Sequence, residues 1–310
     1  MTAIAGDPQR NLNFYAGVLG LRLVKLTVNF DDPGTYHFYY GNEGGTPGSI
    51  LTFFPWAHAA QGRQGVGQAG VTSFAIAPEA VAWWVERLVR HGVHFEGPAR
   101  RFDETVLAFK DPDGLLLELV GHPANEALPA WSDGPVPAAQ AIRGLYAVTL
   151  WEDRLEATAG LLRGTLGFRE TVSDGTVHRF EASGPGAGRI VDVRVPTGFW
   201  SGAMGRGTVH HVAWRAPTDE AQQQARASIR GEGLGVTDVL DRVYFRSIYF
   251  REPGGVLFEI ATDAPGFTVD EPLAELGSGL KLPPWLEAHR PDIIRILPPI
   301  ELPAAASEAS

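Results

Sequence analysis

The sequence predicts an α+β fold of four tandem βαβββ modules, which form two domains of curved, mostly antiparallel sheet. The first observation is a repeat between the two halves of the chain. Residues 110–119 form a turn with Pro and Gly followed by an apolar strand that contains Glu118, and residues 251–260 repeat this pattern around Glu259. Such repetition at a fixed period is typical of a fold built from copies of one unit.

The helices and the strands that precede them repeat as well. Residues 14–21 and 161–168 each predict an amphipathic helix that ends at a Leu-Gly pair. Residues 71–78 match residues 210–217 as a strand that leads into a helix, so each half divides again. The four predicted modules span residues 1–56, 69–122, 141–197 and 207–262.

A chain of 310 residues has the length expected of two domains. A segment with Pro and Gly separates the two pairs of modules, and a Pro-rich tail follows the last module. The predicted division is an N-terminal domain at 1–125, a linker at 126–140, a C-terminal domain with the metal site at 141–268 and the tail at 269–310.

Composition narrows the classes of function. The net charge of -10, without clustered Lys and Arg, argues against nucleic acid as a partner. The absence of cysteine excludes disulfides, thiolate-bound metals and a Cys nucleophile, so a bound metal needs nitrogen and oxygen ligands. No apolar run is long enough to span a bilayer, and no leader-like segment follows Met1, so a cytoplasmic enzyme without membrane contact is expected.

Strand periodicity draws attention to two side chains. Alternation places Glu259 on the concave face of its module, where a buried carboxylate needs a cation, an arginine or a shared proton. Alternation also predicts that His210 and His211 face opposite sides, so one of them faces the cavity. Most buried Glu residues pair with Arg, and most strand histidines belong to the core. Modules two and four both have a Glu at this position, but only module four also has a histidine, His211, where module two has Thr72. This combination favours a metal site in module four.

Several longer strings resemble a known family. The modules, the His-His-Val strand and the Pro-Gly-Gly-Val-Leu-Phe-Glu strand resemble the vicinal oxygen chelate superfamily, which includes glyoxalase I, bleomycin-resistance proteins and extradiol dioxygenases. Residues 28–41, 51–56 and 205–212 resemble its branch of dioxygenases that cleave para-hydroquinone rings. The resemblance covers nearly the whole chain, and these strings are long and specific.

The resemblance implies an Fe(II)-dependent ring-cleaving dioxygenase, with Mn(II) as a possible replacement. Such an enzyme would act on a hydroquinone-type or catechol-type aromatic and would insert O2 beside a ring hydroxyl. The implied metal ligands are His211 and Glu259. His210 and Tyr249 are implied as proton-transfer groups, and Arg242 as the group that neutralises a phenolate or a product carboxylate. Thr2, Arg242 and Tyr249 are implied to contact the substrate.

One ligand of this branch has no counterpart in the sequence. The branch carries it as a histidine in a His-His-(Ile/Val)-Thr string, and here that position falls before Met1. We expect that the chain starts a few residues late; the alternative is a protein with two metal ligands or none. Catechol-type enzymes use a histidine in module three, where this sequence has Tyr146, a less favoured substitute. The remaining histidines, His37 included, are interpreted as structural or exposed.

Two other classes of function stay open. A glyoxalase-like lyase or isomerase would use the metal as a Lewis acid, but Thr52 and Asp192 add little to the ligand set that it needs. A metal-free protein that binds an aromatic compound, as resistance proteins do, fits the missing histidine. For the dioxygenase, the expected partners are a small aromatic substrate and O2. The chain is expected to form a homo-oligomer.

Overall fold

The computed structural model describes residues 1–302. Residues 303–310 of the predicted tail lie outside the described residues. Each predicted module forms one strand, one helix and three further strands, so the repeats in the sequence correspond to repeats in the structure. No helix among the described residues is both long enough and apolar enough to cross a membrane.

The elements follow one another in a regular order. The strands are β1 (Thr2–Ala5), β2 (Arg22–Asn29), β3 (Asp32–Gly41), β4 (Leu51–Pro55), β5 (Gln68–Ile76), β6 (Phe95–Arg101), β7 (Glu104–Lys110), β8 (Leu116–Gly121), β9 (Leu145–Trp151), β10 (Arg169–Ser173), β11 (Val177–Glu181), β12 (Ile190–Arg194), β13 (Thr208–Ala216), β14 (Leu240–Asp241), β15 (Arg246–Arg251) and β16 (Leu257–Thr262). The helices are α1 (Pro8–Leu12), which continues as a π-helix (Asn13–Val18), α2 (Val81–Arg90), α3 (Glu156–Gly164), α4 (Asp219–Gly231) and α5 (Arg290–Ile296).

The strands form two curled sheets of eight strands each. Sheet A has the order β14-β15-β16-β13-β1-β4-β3-β2, and sheet B has the order β10-β11-β12-β9-β5-β8-β7-β6. Most neighbouring strands are antiparallel; the parallel pairs are β1 with β4, β5 with β8, β9 with β12 and β13 with β16. This architecture confirms the predicted fold class.

Each sheet combines one module from each half of the sequence. Sheet A joins modules one and four through the antiparallel pair of β1 and β13. Sheet B joins modules two and three through the pair of β5 and β9. The division into domains at 1–125 and 141–268, with a linker at 126–140, stays a prediction about folding units, since each sheet draws on both segments.

The helices pack on the convex faces because their apolar sides need cover. In β16, Phe258 and Ile260 point into this core, and alternation leaves Glu259 on the concave face. The C-terminal segment lies along the edge strand of sheet A. Leu280 bridges to Leu26, and the buried Lys25 forms ion pairs with Asp270 and Glu271.

Candidate active site

The concave face of sheet A encloses a cavity of about 1070 Å³. Aromatic side chains form much of its wall, among them Tyr39, Phe54, Trp56, Tyr244, Phe245 and Phe267. The site residues expected from the sequence all line this cavity, namely Thr2, His210, His211, Arg242, Tyr249 and Glu259. An apolar chamber with a few converging polar groups is the usual form of a small-molecule site.

The centre of the polar group is a contact between β13 and β16. The Nε2 atom of His211 lies 2.9 Å from Oε2 of Glu259, and both side chains are almost fully buried. Their strands run in parallel, with Ala213 beside Glu259, so His211 lies two residues along the same face. The two side chains are therefore neighbours because of the strand register.

The other oxygen of Glu259 is held from β15. Tyr249 donates its hydroxyl hydrogen to Oε1 at 3.0 Å, and Ser247 donates to the same oxygen. Burial opposes ionisation, but the interaction with His211 and the hydrogen bonds outweigh it and lower the pKa of Glu259 to about 2. Glu259 is thus an oriented carboxylate whose Oε2 faces His211.

The prediction that His210 and His211 face opposite sides is wrong, because β13 contains a β-bulge. Thr2 pairs with His211 and Ala3 pairs with Val209, so His210 is the extra residue of the bulge. Both rings line the cavity, and their Nδ1 atoms lie 2.8 Å apart. Burial and the neighbouring His211 lower the pKa of His210 to about 4. His210 is therefore neutral near pH 7.

Arg242 and Thr2 lie on different walls of the cavity. Arg242 pairs with Asp31 at 3.1 Å and lies over the ring of Tyr249, so it pairs with neither Glu259 nor Asp241. Burial and the negative charge of Glu259 raise the pKa of Tyr249, so its hydroxyl stays protonated. Thr2 shares a hydrogen bond of 2.8 Å with Thr52, on the neighbouring strand β4.

Sequence reasoning missed two cavity residues on β3. His37, interpreted as structural or exposed, lines the cavity with its Nε2 atom 2.9 Å from the Thr52 hydroxyl. Tyr39 lies on the same face, with its ring centroid 4.1 Å from that of His37. Alternation does predict that these two residues share a face. It did not identify that face, because the opposite face of β3 is aromatic as well.

Sheet B contains the counterpart of the Glu259 position, which is Glu118 on β8. Glu118 accepts from Ser73 at 2.7 Å and from both terminal nitrogens of Arg101 at 2.9 Å, so protein side chains bind both of its oxygens. Tyr146 donates to Glu104 in this sheet, so it is not a substitute ligand beside Glu259. Asp192 is likewise bound, to Arg179.

The donor set of sheet A suits a divalent transition metal. Imidazole and carboxylate ligands are typical of iron and manganese sites. Nε2 of His211 and Oε2 of Glu259 lie 2.9 Å apart, so one nitrogen and one oxygen donor stand side by side at the cavity wall. The other polar atom of each candidate ligand also has a partner: Tyr249 contacts Oε1 of Glu259, and His210 contacts Nδ1 of His211. Such contacts behind the ligands are usual at metal sites. Among residues 1–302 no third His, Cys, Asp or Glu joins this pair.

Comparison with known proteins agrees with this geometry. The model of the Glyoxalase/Bleomycin resistance protein/Dioxygenase superfamily matches residues 1–119 and 144–260. A Bacillus subtilis protein named as a candidate ring-cleaving dioxygenase, MhqO, is 49% identical over 97% of this chain and 96% of its own length. The chlorohydroquinone/hydroquinone 1,2-dioxygenase of Sphingobium indicum is 34% identical over 96% of this chain and 94% of its own length.

Solved structures show the same architecture. A Bacillus subtilis protein described as a candidate dioxygenase superposes with a TM-score of 0.92 at 48% identity, covering 98% of this chain and 96% of that one. Glyoxalase I from Zea mays superposes with a TM-score of 0.63 at 15% identity, covering 84% of this chain and 90% of that one. The second likeness concerns the fold alone.

Proposed function

The chain belongs to the Glyoxalase/Bleomycin resistance protein/Dioxygenase superfamily, and from that premise we propose that it is a metal-dependent dioxygenase that cleaves aromatic rings. The substrate class is a hydroquinone-type aromatic, with catechol-type rings as the wider class, and the second reactant is O2. The names of relatives that align along the full chain support this proposal.

The observation that carries the proposal is the pair of His211 and Glu259 inside an aromatic cavity. An isolated carboxylate buried among aromatic rings would be costly, and Arg242 is directed to Asp31 instead. A cation between the imidazole and the carboxylate would balance this charge. The flat aromatic walls, with Phe54 and Trp56 beside His210, suit a planar ring.

We propose His211 through Nε2 and Glu259 through Oε2 as ligands of Fe(II), with Mn(II) as a replacement. When bound, the metal would supply open positions for O2 and a substrate oxygen and a path for charge between them. To hold the metal, Nε2 of His211 and Oε2 of Glu259 would both be free of a proton. The Nδ1 atom of His211 would keep its contact with His210.

The remaining side chains would position the substrate and move protons. With the metal on Nε2 of His211, Nδ1 of His210 would accept from His211, so the neutral His210 would carry Nε2–H and would donate it to a substrate oxygen. Tyr249 keeps its proton and would donate a hydrogen bond to an oxygen of the substrate or product. Arg242 would attract a phenolate or a product carboxylate. Thr2 would contact the substrate through its hydroxyl.

A third protein ligand would fit at the start of β1. Continuing the antiparallel register of Thr2 with His211 places a residue that precedes Met1 opposite Ala213, which pairs with Glu259. Alternation would point that side chain to the concave face, as it does for Thr2. A histidine there would complete a facial set of two histidines and one carboxylate.

The test compares this chain with two chains extended at the N-terminus, one with His and one with Ala immediately before Met1. Iron content, O2 uptake and product mass are measured with methylhydroquinone and chlorohydroquinone. We expect the His chain to bind iron and to form a ring-opened product that contains both atoms of O2, and the Ala chain to bind iron more weakly. If the His chain binds no iron and consumes no O2, the dioxygenase proposal is wrong.

The same assay distinguishes the other classes. Metal-dependent conversion of the aromatic without O2 uptake would indicate a lyase or isomerase. Tight binding of the aromatic without metal or turnover would indicate a binding protein. A cytoplasmic location and a homo-oligomeric state are also proposals, which cell fractionation and light scattering would check.

A further inference from the structure

His37 and Tyr39 are two polar cavity residues that the proposed roles leave unused. Both lie on β3, which is separated from β16 by β4, β1 and β13 in sheet A. They share the concave face of β3, whereas Phe38 and Tyr40 belong to the core on its other face. The sheet curls, so this part of the wall faces the same cavity as Glu259 from another side.

The strand register connects this wall with the candidate metal ligands. Tyr39 pairs with Thr52, Thr52 pairs with Thr2, and Thr2 pairs with His211. A chain of hydrogen bonds follows part of the row, from His37 Nε2 to the Thr52 hydroxyl and on to the Thr2 hydroxyl. His37 is therefore held in a defined orientation, which a substrate-binding group requires.

Two atoms of this wall remain available to a ligand. The Nδ1 atom of His37 and the hydroxyl of Tyr39 make no hydrogen bond within residues 1–302. Neither is among the described polar atoms that are both unpaired and fully shielded from solvent, so the cavity reaches them. Both residues line that cavity.

Their protonation states make the two atoms complementary. Burial, together with His211, lowers the pKa of His37 well below its usual value, so the ring is neutral. Burial and the charge of Glu259 raise the pKa of Tyr39, so the phenol keeps its proton. In the tautomer in which Nε2–H of His37 donates to Thr52, His37 offers an acceptor at Nδ1, and Tyr39 offers a donor. A ring hydroxyl has one hydrogen to donate and lone pairs to accept.

We propose that Tyr39 and His37 bind the ring hydroxyl that lies farthest from His211 and Glu259, and that this contact selects 1,4-dihydroxybenzenes. The proposal rests on the function proposed above and deepens it. A 1,4-diol presents its two oxygens at opposite ends of the ring, so one reaches the His211 side while the other reaches β3. A 1,2-diol places both oxygens at one end and leaves the β3 pair without a partner.

The first test needs only the unaltered protein. Binding of hydroquinone and of 4-methylphenol, in which a methyl group replaces the second hydroxyl, is followed by quenching of tryptophan fluorescence without O2. We expect hydroquinone to bind about tenfold more tightly, because bound 4-methylphenol would cover Nδ1 of His37 and the hydroxyl of Tyr39 and leave both without a hydrogen-bond partner. Equal binding of the two ligands would overturn the proposal.

Variants then assign the preference to the two residues. Tyr39→Phe should reduce it to about threefold or less. His37→Asn keeps a polar atom near the position of Nδ1, and His37→Gln keeps one near Nε2, so the Gln variant should lose more of the preference. Tyr36→Phe is the control, since Tyr36 lies on the other face of β3 and donates to Pro298. Its preference should equal that of the unaltered protein.

Circular dichroism checks that each variant folds. Folded Tyr39→Phe and His37→Gln proteins that keep the full preference would contradict the proposal, even if ring cleavage is observed. Absence of ring cleavage in the O2 assay would contradict the proposed function, whereas the ratio of the two affinities would still test the β3 contact. If Tyr39→Phe does not fold, the unaltered protein and the His37 variants decide.

Discussion

Sheets A and B have the same order of equivalent strands, but the buried glutamate at the matching position has different partners in the two sheets. In sheet A, Glu259 accepts from Ser247 and Tyr249 on one oxygen and meets His211 on the other. In sheet B, Glu118 accepts from Ser73 and from Arg101. The guanidinium of Arg101 balances the carboxylate in sheet B, whereas the imidazole of His211, beside the cavity, contacts it in sheet A. The site thus depends on which partner the glutamate has.

The bulge beside the site occurs in both sheets. In sheet B, Ala69 pairs with Leu150 and Val71 pairs with Thr149, so Gly70 is the extra residue, as His210 is in sheet A. The structural counterpart of His211 is therefore Val71, one residue away from the predicted Thr72. A bulge common to both sheets positions side chains, and only the sheet with His-His at the bulge has a metal-type donor pair.

Ion pairs link three carboxylates of sheet B with two arginines. Arg179 donates to both oxygens of Asp192 and contacts Glu104, and Arg101 contacts Glu104 and Glu118. These carboxylates have guanidinium partners at fixed positions, which leaves no reason for a metal there. The comparison predicts that changes in sheet A affect metal binding and activity, and that changes in sheet B affect stability.

The largest effect is expected for Glu259→Gln. The amide removes the negative charge of the ligand. Loss of a residue that merely contacts a ligand lowers metal affinity by up to roughly 100-fold, so loss of the ligand charge itself should lower the affinity for Fe(II) or Mn(II) by more than that and abolish activity. Glu118→Gln is the matched variant in sheet B, and its metal affinity should be unchanged. Calorimetric titration with Mn(II) measures both. Equal losses in the two variants would contradict the comparison.

The next effect is expected for Arg179→Met. This change leaves the buried Asp192 without its ion-pair partner and Glu104 with Arg101 alone, so the free energy of unfolding should fall by about 3 to 5 kcal/mol. Metal affinity of the folded protein should not change. Urea unfolding measures the first quantity. The control is Arg246→Met, which removes an exposed pair with Asp219 and should cost less than about 1 kcal/mol.

A smaller effect on stability is expected from the residue that follows β9, which differs from the residue that follows the matching strand β1. Gly6, the residue after β1, donates to Asp113, whereas the residue after β9 is the fully buried Glu152, which lies against Gly254. Neither oxygen of Glu152 has a hydrogen-bond partner among the described residues. Burial, and the neighbouring Glu252, raise its pKa from 4.5 to about 8. The folded protein therefore holds this proton more tightly than the unfolded chain.

Stability should consequently decline as the pH rises from about 4.5 to 8 and change little from this group above that range. Glu152→Gln removes the titrating group, so it should flatten this slope and stabilise the protein by on the order of 2 kcal/mol at alkaline pH. Thermal unfolding between pH 5 and about 9 checks this. Asp153→Asn, at the exposed neighbouring position, should leave the slope unchanged.

The sequence predicted the elements better than their arrangement. Repeats identified four modules, and alternation placed Glu259 on the concave face. Repeats do not say which edges join, so the pairing of β1 with β13 required the structure. Alternation assumes an unbroken strand, and the bulge at His210 breaks it. His37 was missed because each face of β3 is aromatic, so the strand has no polar face that would mark a cavity.

The smallest effect is expected from a matched pair of tyrosines. Tyr249 donates to Glu259 in sheet A at 3.0 Å, and Tyr146 donates to Glu104 in sheet B at 2.6 Å. Tyr249→Phe should lower Mn(II) affinity roughly tenfold, because Ser247 alone then orients the carboxylate. Tyr146→Phe should leave that affinity unchanged and cost about 1 kcal/mol of stability, the usual value of one hydrogen bond. Titration and urea unfolding of both variants give the two quantities. A loss of metal affinity in Tyr146→Phe would mean that the sheets are coupled and that the network of sheet B supports the site from a distance.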